Sequence, residues 1–80
     1  MSIEKLIQTK RQIELGDRIR QLRLENSRPN MQMFANEIGI SRALYNNYER
    51  GRANPTFRNI CKLCDAFNVT LHEFFNYESK

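Results

Sequence analysis

The sequence predicts a small all-α domain of five helices, and three observations predict it. Apolar residues return at helical spacing in five stretches, without the strict alternation of a half-buried strand. Each stretch after the first follows a residue that caps helices: Asn30, Ser41, Thr56 or Thr70. Three Gly and two Pro in 80 residues are too few for the turns of a sandwich or barrel. This length allows one compact core and no second domain.

The first helix carries Leu15, Ile19 and Leu22 at i, i+4 and i+7, with Asp17 near its positive end. Residues 26–30 break it: Pro29 disfavours helix at Arg28, and Asn30 caps the next helix. That second helix has the stripe Met31, Phe34, Ala35 and Ile38 and ends at Gly39. The third opens at Ser41, with Ile40 and Tyr45 placed as a hydrophobic staple, Tyr45 and Tyr48 inward, and Gly51 as its stop. Arg52, Ala53, Asn54 and Pro55 form a basic loop. Thr56 caps a fourth helix with the stripe Phe57, Ile60, Leu63, Cys64 and Phe67, closed by Asn68. Thr70 and Glu73 form a capping box at the fifth helix, with a staple from Val69 to Phe74.

Residues 1–14 form an N-terminal extension. Ile3, Leu6, Ile7 and Ile13 have roughly helical spacing, but Lys10, Arg11 and Gln12 interrupt the stripe, leaving an extra helix, an arm or nothing stable. Residues 15–75 are the domain, and residues 76–80 an acidic tail. No long apolar run spans a membrane, and no leader suggests secretion. Two Cys fit a reduced, cytoplasmic protein. Cys61 and Cys64 lie mid-helix with only His72 as a further ligand, so they read as core thiols, and no metal is expected. Without a phosphate-binding glycine loop, or a nucleophile arranged around the single histidine, the chain is not expected to be an enzyme. No cofactor or small-molecule ligand is expected.

Charge points to a polyanion. The net charge is +4, and residues 42–62 hold five basic residues against Glu49 alone. The same stretch contains the second helix of a two-helix unit, residues 30–51, whose short turn holds Gly39 and whose close approach is allowed by Ala35. Arg42, Ala43, Asn46 and Asn47 face outward on its second helix. Arginine suits guanine, asparagine suits adenine, and the alanine methyl can meet thymine. Leu44 could pack under the helix or meet a thymine methyl, and partial burial is the favoured reading. Arg50, Arg52 and Asn54 follow, well placed for phosphates.

With these residues in this order, the chain resembles the phage-repressor and Cro-like helix-turn-helix domains. The resemblance runs over residues 15–75. It rests on residues 15–23 (LGDRIRQLR), Phe34-Ala35, Gly39-Ile40-Ser41-Arg42, residues 48–55 (YERGRANP) and residues 67–75 (FNVTLHEFF). It implies a five-helix lambda-repressor-like domain that binds double-stranded DNA, with helix three in the major groove and Arg42, Ala43, Asn46 and Asn47 towards the bases. It also implies a structural salt bridge between Arg23 and Glu49. Phosphate contacts would come from the helix starts at Asn30 and Ser41, from Gln32, and from Arg50, Arg52 and Asn54. Met31 stands where the family often has glutamine, with Gln32 one place later, and the loop of residues 26–30 is about one residue longer than usual.

Leu71, Phe74, Phe75 and Tyr77 together exceed what so small a core can bury, which predicts that part of this cluster forms a twofold dimer contact, in a homodimeric regulator on a palindromic operator. The alternative is an antitoxin-type interaction module that uses the same fold to cover a partner protein. The basic stretch favours DNA.

Overall fold

The computed structural model describes the backbone of residues 3–78 and the side chains of residues 9–78. The described residues form five α-helices and no strand: α1 (Ile3–Glu25), α2 (Met31–Ile38), α3 (Arg42–Glu49), α4 (Phe57–Phe67) and α5 (Leu71–Phe74). α1 runs unbroken for 23 residues, so residues 3–14 are its first half. Lys10, Arg11 and Gln12 are good helix formers, so the polar interruption removes burial without ending the helix. The side chains of Ile3, Leu6 and Ile7, and the last two residues of the acidic tail, lie outside the described residues.

Every expected cap is made. Asn30 Oδ1 accepts from the Met33 N–H at 2.9 Å, Ser41 Oγ from Leu44 at 3.2 Å, and Thr56 Oγ1 from Asn59 at 3.1 Å. At α5 the box is reciprocal: Thr70 Oγ1 accepts from the Glu73 N–H at 3.0 Å, and Glu73 Oε1 from the Thr70 N–H at 2.9 Å.

The first four helices share one ending. A left-handed residue, Ser27, Gly39, Gly51 or Asn68, turns the chain back. The two N–H groups at that turn bond carbonyls in the last helical turn, as in Ile40 to Ala35 at 3.1 Å and Arg52 to Asn47 at 2.8 Å. Ser27 fills that place after α1 without being glycine or asparagine, so the stop at α1 gave no glycine signal.

The core is built around Phe34. Its ring stacks on Phe67 (centroids 5.2 Å apart) and meets Tyr45 edge-on at 5.5 Å. Ile19, Leu22, Ala35, Ile40, Tyr48, Leu63, Cys64 and Phe74 complete it. Both staples place their aromatic residue inside, Tyr45 and Phe74 being fully buried.

One stripe assignment is corrected. Phe57 is 67% exposed, because at the first position of α4 its side chain leans beyond the helix end rather than over the core. Leu44, at 37% exposure, is partly covered and keeps an open edge. α1 approaches the end of α3 closely at Gly16. A Cβ added at Gly16 would lie 2.5 Å from the Tyr48 carbonyl oxygen and 2.7 Å from that of Glu49. This contact fixes α1 beneath α3.

Candidate nucleic-acid interface

α2 and α3 meet across the Gly39 turn and leave their polar edges side by side. Gln32, Arg42, Ala43 and Asn46 line one open groove with Met31. Met31 and Asn46 also border an adjoining hollow lined by Arg20, Arg23, Glu49 and Arg50. Three guanidinium groups face one carboxylate there, so the hollow carries surplus positive charge. Met31, in the place of the expected glutamine, is half-buried, whereas Gln32 is exposed in the groove.

Arg42 reaches back from Nε to Asn36 Oδ1 at 3.4 Å, a long bond that leaves its terminal amino groups outward. Ala43 is exposed and Asn46 half-buried. Asn47 is half-buried and lines neither hollow; its carbonyl closes the turn at Arg52. The Ser41 hydroxyl and the Asn30 amide oxygen are already occupied by caps. The Ser41 O–H and the Asn30 side-chain NH2 remain as donors for a further partner. Arg50 and Arg52 are exposed, and Asn54 accepts a hydrogen bond from Gln12 at 2.6 Å.

The rigidity of this surface comes from a buried ion pair. Arg23 Nε donates to Glu49 Oε2 at 2.7 Å and Nη2 to Oε1 at 3.0 Å, while Nη1 donates to the Arg28 and Pro29 carbonyls at 2.8 and 3.0 Å. One guanidinium thus joins α1, α3 and the loop before α2. Its pairing with Glu49 raises the Arg23 pKa further. Beside it, the buried Tyr45 hydroxyl has no hydrogen-bond partner. Burial first, then the neighbouring Glu49 carboxylate, pushes its pKa far above the usual phenol value.

At the opposite end, Leu71 and Phe75 are 40% and 46% exposed and Tyr77 is half-buried. Phe74 is fully buried, which corrects its assignment to a dimer surface: the staple draws it into the core, and it has no face to offer. Arg18 holds this end, donating to the Phe74 carbonyl at 2.9 Å and the Glu73 carbonyl at 2.6 Å.

Cys61 and Cys64 are free thiols, half-buried and buried, and burial raises the Cys64 pKa. No group of three or more His, Cys, Asp or Glu residues is placed to hold a metal among the described residues. No helix among them is long and apolar enough to cross a membrane.

Sequence reasoning missed Arg20, Gln12, Gly16 and Arg18. Arg20 was accessible, since it lies one turn before Arg23 on the same face. The roles of the others depend on long-range packing that no local pattern announces.

A short helix, a glycine turn and an exposed polar helix above a basic rim define the helix-turn-helix class of DNA-binding proteins. A helix-turn-helix family model matches residues 19–74, and the chain belongs to that family, the phage-repressor and Cro-like proteins. It is a DNA-binding transcriptional regulator and not an enzyme. The chain is 30% identical over 64 residues to the control protein C.MunI of a Mycoplasma species, covering 80% of this chain and 86% of that protein. It is 42% identical over 40 residues to the cryptic phage CTXphi transcriptional repressor RstR of Vibrio cholerae, covering 50% of this chain and 36% of the repressor. No solved structure matches significantly.

Proposed function

We propose that the protein is a repressor that binds a palindromic operator as a homodimer in the cytoplasm, with α3 in the major groove. The observation that carries this reading is the single open groove shared by Gln32, Arg42, Ala43 and Asn46, with Arg50 in the adjoining basic hollow. Arg42 and Asn46 read base edges, Ala43 meets a thymine methyl, and Asn47 contacts the edge of the site. Asn30, Gln32 and Ser41 hold one phosphate run, with Gln32 in place of the usual glutamine; Arg50, Arg52 and Asn54 hold another. Leu71, Phe75 and Tyr77 supply the twofold contact, which sets the half-sites about 34 Å apart. The names of the two relatives, a control protein and a repressor, support the regulatory role.

Selection from random duplex DNA tests the reading, with sedimentation of the purified complex. The expected result is enrichment of an inverted repeat, bound by two chains. Absence of any enriched sequence, or occupation of a single half-site by one chain, would overturn it.

A further inference from the structure

We infer that Gln12, in the N-terminal half of α1, is a positioning residue for the DNA-backbone contact made by Asn54; this rests on the phosphate role proposed above for the loop after α3. Gln12 and Asn54 are 42 positions apart, yet Gln12 Nε2 lies 2.6 Å from Asn54 Oδ1. The two segments touch because α1 passes under the turn: a Cβ on Gly51 would meet the Ile13 Cα at 2.6 Å. Gly51, with φ +70°, then leads directly into the loop of residues 52–55. The first half of α1 is therefore the support on which that loop rests.

The direction of the bond gives it a function. Gln12 donates, so the carbonyl end of the Asn54 amide is taken and its two N–H donors remain. Phosphate oxygens only accept hydrogen bonds, so the end left open is the end that phosphate requires. Asn54 is exposed and Gln12 half-buried, so without this bond the amide would rotate in solvent. Binding would then lose orientation as well as one ordered side chain.

A double-mutant cycle tests the inference, using Gln12→Ala, Asn54→Ala and the double variant of the full chain. Thermal melting and binding to operator and random duplexes are both measured. Each single variant should weaken binding to both duplexes about 2- to 10-fold, as expected for one lost hydrogen bond. The double variant should bind no worse than Asn54→Ala, and Gln12→Ala should melt with the wild type. Gln12→Ala binding like wild type while Asn54→Ala is weakened would overturn the positioning role alone. Losses that multiply in the double variant would do the same. If Asn54→Ala binds like wild type, the phosphate role falls and the positioning role with it.

Discussion

Arg23 and Glu49 lie 26 positions apart and meet in a two-pronged ion pair, each side chain 7% exposed. The pair spans from α1 to the last residue of α3, so it sets the pitch of α3 relative to the rest of the fold. Arg23 also bonds two carbonyls of the loop that leads into α2. α1, α3 and the loop before α2 are therefore tied to one side chain.

Breaking this pair from one side should be costly. Glu49→Ala leaves a buried guanidinium with only its two carbonyl partners, a loss of about 3 kcal/mol. Arg23→Met keeps the volume but strands a buried carboxylate and frees the two carbonyls, so the loss should be at least as large. Urea unfolding of both variants measures this. A loss below about 1 kcal/mol in each, the range of surface pairs, would show that the pair is not effectively buried.

Gly16→Ala sets two effects against each other. Alanine in a helix interior ordinarily gains about 1 kcal/mol over glycine. Here the new methyl would lie 2.5 and 2.7 Å from two backbone oxygens of α3, which cannot rotate aside. Overpacking of this kind costs about 1–3 kcal/mol. Strain should win, with a melting temperature several degrees below wild type; a rise would mean that α1 and α3 separate easily.

The capping box at α5 gives a pH dependence of known sign. The Thr70 backbone N–H, then its hydroxyl, hold the Glu73 carboxylate below the ordinary glutamate pKa. A group lowered in the folded state contributes stability above its unfolded value and loses it as the pH falls through the folded value. Melting temperature should thus fall across that acidic window. In Glu73→Gln, which keeps a neutral capping partner, the part of the fall due to this site should vanish. Identical pH profiles for the two proteins would show that the box carries no stability.

The sequence exposed most of the frame because its signals are local. A cap at Asn30 or Thr70 and a left-handed stop at Gly39 or Asn68 act within a few residues, so their chemistry is readable without a fold. Phe57 was misread because a stripe has no mark for the point where the helix overruns the core. Phe74 was counted with the dimer cluster although the Val69–Phe74 staple already marked it as the member turned inward. Gly16 and the Gln12–Asn54 bond were beyond reach, since each depends on elements brought together from over 30 positions apart. On the candidate interface, the outward face of α3 was legible from helical spacing, but Arg20 joins it only through the way α1 packs.

The last prediction separates reading from holding. Arg42→Ala and Asn46→Ala should each cost roughly 1–3 kcal/mol on the selected operator and little on random duplex, because a base-edge bond is lost only where the right base was present. Arg52→Ala should weaken binding to every sequence alike and lower the salt slope by about one, because a lost phosphate contact releases one counterion fewer. Titrating all three variants against both duplexes over a range of salt gives the two quantities at once. Equal losses on operator and random DNA for Arg42 and Asn46 would move them from the bases to the backbone. An unchanged salt slope for Arg52 would take the loop after α3 off the DNA, leaving the contact to the groove between α2 and α3.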